Sequence, residues 1–239
     1  LGIVFFTIAI LPSLVGGSVK IFAAESTGPI KSKLHPRLST NSKWIWTVYL
    51  VLTIACVASY KLCGMNWFDA LNYAMTSTAT GGFATSGGSI LSFHSIAEDY
   101  VCILFCFLSG VNFTFLYYSV VKGKVRQMFQ HSEFRFYIMT IVISTLFIMV
   151  ELIYRNHYDL EHAFRSSAFQ VVSFITTTGL FNDDAAKWPR VTWVVLSICM
   201  FVGGCSGSTA GGIKSIRGVM LLKVIRNEFR QILHPNAVL

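Results

Sequence analysis

The sequence predicts an all-α integral membrane protein built from repeated helix–re-entrant loop–helix units. Three observations predict it. Of 239 residues, 54% are hydrophobic and only 13% charged, against about 25% charged in a soluble domain, and the mean hydropathy is +0.60. Charge alternates in sign between successive polar segments. One hydroxyl–glycine pattern occurs twice, each time between two apolar runs. Together these exclude a disordered chain, a coiled coil and a secreted disulfide scaffold.

The elements follow in order. Residues 1–15 read as the end of a spanning helix without a basic leader, so the sequence reads as the later part of something longer. Residues 16–43 form a polar, basic linker with turn signals at Gly28-Pro29 and Pro36. Residues 44–60 are an uncharged span anchored by Trp44 and Trp46. Residues 66–79 are mildly apolar and too short to cross, and TGGFATSGGS follows them. Residues 100–121 form another long apolar run, 122–135 are basic, and 136–154 form a further span. Residues 159–177 are semi-polar and lead into TGLFNDD, Trp188-Pro189 and the apolar run 191–202. The break GGCSGSTAGG (203–212) precedes a helical pattern over 213–233 that carries five cations. At roughly 20 apolar residues per crossing, the chain holds four or five spans. The units divide as 1–43, a helix end and linker; 44–133, one helix–loop–helix repeat; and 134–239, a second repeat with a glycine-broken last helix.

Charge fixes the sidedness. Segments 16–43, 122–135 and 213–239 hold 14 of the 19 cations and three of the 11 acids. The remaining segments hold five cations and eight acids, a net of −3. The basic set is cytoplasmic by the positive-inside rule. Both semi-polar segments then have both flanks outside, so each dips in and returns. The acidic outer face concentrates cations. The overall charge of +8 therefore reflects topology and does not indicate nucleic acid.

Thr78-Ala79-Thr80-Gly81-Gly82-Phe83 aligns without gaps on Thr176-Thr177-Thr178-Gly179-Leu180-Phe181, 98 residues later. A repeat of this size is a structural unit. Non-helical backbone at membrane depth occurs only inside protein or beside a water-filled cavity. A short helix entering from outside turns its partly negative C-terminus toward the membrane centre. Glycine after it frees the backbone to aim carbonyls at one axis, and rings of such carbonyls replace the hydration shell of K⁺. Two glycine turns at span ends touching lipid headgroups are the plainer alternative.

These residues carry a family resemblance. TTTGLFNDD, Trp188-Pro189, GGCSGSTAGGIKSIR and Leu233-His234-Pro235, with AESTGPIKSKLHPRL upstream, resemble the TrkH/KtrB superfamily of K⁺ uptake proteins over essentially the whole chain. The resemblance implies a K⁺-channel-like pore of helix–pore loop–helix repeats, here the third and fourth of four. It makes Gly81 and Gly179 filter glycines, with Ala79, Thr80, Gly82, Thr177, Thr178 and Leu180 beside them and K⁺ as the transported ion. Ser109-Gly110-Val111-Asn112-Phe113-Thr114 matches an intramembrane gate loop, with Gly110 and Asn112 at its centre; the plain reading is a helix-packing glycine and an interhelical hydrogen bond. Arg217 matches a pore arginine, with Lys214 as the alternative barrier; the plain reading is a cytoplasmic-end cation. A mid-membrane Arg costs about 2.5–3.5 kcal/mol and needs water or a partner. The resemblance also implies a bacterial inner-membrane location, a homodimer, and a cytosolic ring of TrkA-type nucleotide-binding subunits docked on the basic inner face. Two loops cannot close a four-part ring, so it implies that two more come from upstream sequence or a second copy.

Other chemistry is not signalled. The glycines of 203–212 fail the Walker A pattern because Ile213 separates Gly212 from Lys214. Bending of the last helix is the expectation, with Ser206, Ser208 and Thr209 satisfying freed backbone groups. Asp183 and Asp184 read as an outer-mouth cation attractor or as solvated surface. The six cysteines read as small buried hydrophobes. The six histidines lack metal or catalytic spacing, so no cofactor and no enzymatic role is expected. The rivals to a pore are a cation-coupled secondary transporter with broken helices and a non-conducting scaffold.

Overall fold

The computed structural model describes residues 38–93, 95–120, 123 and 125–233. The sequence expectations for 1–37 and for His234-Pro235 lie outside them. Helix α1 (Leu38–Leu62) is a span whose hydroxyls fold back onto its own backbone. Thr53 and Ser59 donate to the carbonyls of Tyr49 and Ala55, each at 2.9 Å. Such bonds hide polar atoms from hydrocarbon. Gly64, at φ +103°, turns the chain, and Asn66 caps α2 (Trp67–Ala79) by accepting from Asp69 N.

A 3₁₀ turn (Ser89–Phe93) leads to α3 (Ile96–Ser109), which bends by 105° into α4 (Phe113–Val120). Short α5 (Val125–Gln130) precedes α6 (Ser132–Asn156), the longest apolar span, at a hydropathy of 2.3. The second re-entrant helix, α7 (Leu160–Ile175), follows His157, which adopts a left-handed conformation. A second 3₁₀ turn (Ala185–Lys187), α8 (Arg190–Val202) and α9 (Ser215–Leu233) complete the described chain.

Among the described residues two helices, α1 and α6, are long and apolar enough to cross, or three if α3 and α4 form one broken span. The last apolar run stops as 13-residue α8, because Gly203 leaves the helix at φ +71°.

Each re-entrant helix packs on the long helix of its own unit, α2 on α1 and α7 on α6, and α3 joins the two by packing on α7. One core gathers Tyr60, Tyr73, Cys102, Cys106, Phe169 and Leu180; the other gathers Tyr137, Ile148, Leu152, Val171, Ile175 and Leu196. Helix α7 therefore contributes to both cores. Outer faces of α1, α6 and α8 expose Val51, Ile54, Met139, Ile143 and Phe201, an apolar belt suited to lipid. Five cysteines are buried and Cys63 half-buried, all as free thiols.

Candidate functional site: two re-entrant loops and two helix breaks

The last carbonyls of a helix lack intrahelical donors, and a left-handed residue just beyond often satisfies them. Helix α2 ends this way at Thr80 (φ 53°), with Gly81 N donating to Thr76 O at 2.9 Å. Helix α7 ends this way at Thr177 (φ 55°), with Thr178 N donating to Ser173 O at 2.8 Å. One further side-chain bond closes each loop. Thr76 Oγ1 accepts from Phe83 N at 2.8 Å, and Ser173 Oγ donates to Leu180 O at 2.7 Å.

These equivalences set the two backbones one residue out of step with the sequence motif. The motif pairs Gly81 with Gly179, whereas backbone geometry pairs Gly82 (φ +75°) with Gly179 (φ +82°). The reason is local. Each loop needs two left-handed residues spaced by two. The first loop has glycine at Gly82 to supply the second, but the corresponding motif position in the other loop is Leu180. A bulky residue there costs about 1–2 kcal/mol, so the turn shifts back onto Gly179.

The loops meet. A Cβ added at Gly82 would overlap the Thr178 carbonyl oxygen and approach Gly179 Cα. Ala79, Gly81 and Gly179 are exposed, Gly82 and Thr177 half-buried, and Thr80, Thr178 and Leu180 buried. Among the described residues, no hydrogen bond reaches the main-chain carbonyls of Thr80, Gly81, Gly82, Thr177, Thr178 or Gly179. The loops thus carry carbonyls that the protein leaves for something else, beside two helix C-termini of partial negative charge.

Beneath the loops lie two breaks. In the first, Gly110 ends α3 and Asn112 caps α4, its Oδ1 accepting from Thr114 N at 2.8 Å. A Cβ at Gly110 would collide with Tyr137 Oη and approach Thr176 Cγ2 at 2.8 Å. Gly110 is thus a close-packing position as well as a break. The second, Gly203 to Lys214, is laced to the first: Cys205 N donates to Gly110 O at 2.9 Å and Phe113 N to Gly207 O at 3.2 Å. It is also laced to the loop bases. Gly211 N donates to Thr177 Oγ1 at 2.8 Å, and Thr80 Oγ1 donates to Thr209 O at 3.0 Å.

The two cations part company. Lys214 is buried, left-handed (φ 78°), and its Nζ donates to Ala210 O. Arg217 is exposed in the first turn of α9. Asp183 and Asp184 have structural partners. Asp183 accepts from Trp188 Nε1 at 3.2 Å, and Asp184 caps the second 3₁₀ turn and pairs with Lys187 at 3.1 Å.

Several residues here escaped sequence reasoning. Buried Glu133 accepts from Ser206 N and lies within electrostatic reach of Lys214, anchoring the second break to α6. Arg165 of α7 pairs with Asp99 of α3 and with Glu161. Asp99 also accepts from Asn182 Nδ2 at 3.0 Å, tying the second loop to the first unit. Ser89 Oγ accepts from Phe181 N at 3.1 Å. For Glu133 and Asp99 the sequence signal was an acid near an otherwise apolar or basic run; the long-range partners in these bonds are 66 to 92 residues away.

The fold and loops define a class: an all-helical membrane protein in which short helices enter from one side and return through glycine loops. The family model described as TrkH, cation transport protein, matches residues 1–239, and the chain belongs to that family. It is 37% identical over its whole length to the Trk system potassium uptake protein TrkH of Halomonas elongata, and 36% identical to TrkG of Escherichia coli, covering 50% of each. Its fold matches the crystal structure of the potassium transporter TrkH from Vibrio parahaemolyticus at a TM-score of 0.82 and 34% identity, over 100% of this chain and 48% of that one. The chain thus spans about half the length of the relatives it matches.

Proposed function

We propose that this chain carries two of the pore loops of a K⁺ translocation pathway in a bacterial inner membrane. One observation supports the reading: two adjoining loops present carbonyls of Thr80–Gly82 and Thr177–Gly179 to which no donor among the described residues is bonded. K⁺ sheds water against Thr80, Gly81 and Gly82 of one loop and Thr177, Thr178 and Gly179 of the other, while Ala79 O and Leu180 O, engaged by Thr80 Oγ1 and Ser173 Oγ, serve the loops' own structure. Helix ends of α2 and α7 add favourable negative potential, about 0.3–1 kcal/mol each at exposed sites. Below, the break at Gly110–Asn112 gates the path. Arg217 supplies the positive barrier, because it is exposed while Lys214 is engaged with Ala210 O. K⁺ is cargo, with no cofactor and no bond-making step. Membership of the family supports a homodimer, and the exposed cations further along α9 (Lys223, Arg226, Arg230) suit docking of a TrkA-type cytosolic nucleotide-binding ring. Flow is passive, in contrast to a cation-coupled transporter.

The test is K⁺ and Na⁺ flux into proteoliposomes holding the complete gene product, beside Gly179→Ser. K⁺-preferring flux without an imposed proton or Na⁺ gradient, with the preference lost in the variant, is the expected result. Flux that requires such a gradient, or a variant that keeps the preference, overturns the reading.

A further inference from the structure

The two breaks and the base of the first loop converge on a single side chain. Thr209 lies in the glycine-rich break between α8 and α9. Its Oγ1 is 2.9 Å from Thr78 O, in the last turn of α2, and 3.1 Å from Ser109 O, the last residue of α3. Both acceptors belong to helix C-termini, where carbonyls lack intrahelical donors. A hydroxyl carries one hydrogen, so Thr209 serves one of the two fully at a time. The same choice recurs one bond away. Thr80 Oγ1 is 2.7 Å from its own Ala79 O and 3.0 Å from Thr209 O. Ser109 is fixed to the same residue a second way, by Thr209 N at 3.3 Å.

We propose that Thr209 is a positioning residue that transmits the position of the Ser109–Asn112 break to the carbonyls of the first loop. When Ser109 O moves away, the Thr209 proton turns wholly to Thr78 O and the base of the loop tightens. When Ser109 O moves closer, Thr78 O is released, and the carbonyls that follow it relax. Ion preference and gate position then share one hydrogen bond. The inference rests on the pore reading above.

The experiment measures the K⁺-to-Na⁺ flux ratio of the complete gene product in proteoliposomes. Variants are Thr209→Val, which keeps shape without the hydroxyl, Thr209→Ser, which keeps the hydroxyl, Asn112→Ala, which loosens the first break, and the Thr209→Val/Asn112→Ala pair. The exchange of one hydrogen bond predicts a ratio lowered about 2- to 12-fold by Thr209→Val and held by Thr209→Ser. Asn112→Ala shifts the ratio in the wild-type background but not in Thr209→Val, the non-additivity that marks a shared element. Independent multiplication of the two effects, or a wild-type ratio in Thr209→Val, overturns the coupling. If Thr209→Val does not yield folded protein, Thr80→Val removes the neighbouring bond and takes the same two outcomes. Gly179→Ser separates the failures. If the wild type does not prefer K⁺, the pore reading falls. If Gly179→Ser loses the preference and Thr209→Val keeps it, only the coupling falls.

Discussion

The first and second re-entrant loops share a motif and a helix-end geometry, yet they are held by different means. The first loop is held from below and from its own unit. Thr80 and Thr78 meet Thr209, and Thr78 Oγ1 lies 3.1 Å from Thr53 Oγ1 on α1. Its Phe83 is 82% exposed. The second loop rests on the same break, with Gly211 N donating to Thr177 Oγ1 at 2.8 Å, and is moored from above as well, through Asn182, Asp99 and Arg165 and through Ser89, with Leu180 buried beneath it. The difference teaches that both loops rest on the broken helices, whereas the second is also moored to the acidic rim by Asp99 and Ser89. The extra mooring predicts that the second is the fixed wall and the first the adjustable one.

That comparison can be broken or sharpened, and the largest effect is expected at the outer mooring. Asp99→Ala leaves half-buried Arg165 with Glu161 alone and strips buried Asn182 Nδ2 of its acceptor, and leaving a buried donor unsatisfied costs about 1–3 kcal/mol, more where a charge is involved. A lowered melting temperature in detergent is expected, with amide exchange rising at 179–183 before 80–83. Equal loss of protection in both loops would abolish the distinction between fixed and adjustable walls.

Next come the glycines. Gly82→Ala places a Cβ against Thr178 O as well as demanding a left-handed alanine, whereas Gly179→Ala meets no atom within 4 Å. The second variant is expected to lose only the conformational cost, about 1–2 kcal/mol, and the first clearly more. Thermal unfolding of the purified variants ranks them. The reverse order would refute the backbone pairing of Gly82 with Gly179.

The smallest effect is expected at Thr53→Val. It removes one half-buried hydroxyl contact to Thr78, a bond of about 0.5–1.5 kcal/mol, and spares the second loop. A change at 179–183 by amide exchange would show that the loops are not separately held.

Much of this was legible in the sequence. The re-entrant helices were predicted at 66–79 and 159–177 and lie at Trp67–Ala79 and Leu160–Ile175. Short, semi-polar segments between apolar runs of fixed sidedness leave few alternatives. The break near Gly110 was legible because Gly and Asn interrupt an apolar run. The register of the loops was not legible from the motif. It depends on which residue tolerates a left-handed backbone, and Gly82 against Leu180 settles that only once both helix ends are built. Asp183 and Asp184 read in the sequence as an outer-mouth cation attractor or as solvated surface; their bonds to Trp188, Ala186 and Lys187 appear only in the folded chain.

By itself, then, the sequence determined the membrane class and the family, and it predicts the sidedness and the two-unit repeat. These follow from hydropathy, charge count and motif, which are properties of the chain read locally. Tertiary structure alone decided that Thr209 stands between two helix ends, that Glu133 and Asp99 are buried anchors, and that Lys214 is buried while Arg217 is exposed. The physical reason is common to all three. A polar group in a membrane protein must find a partner within the protein, and that partner is chosen by packing across dozens of residues.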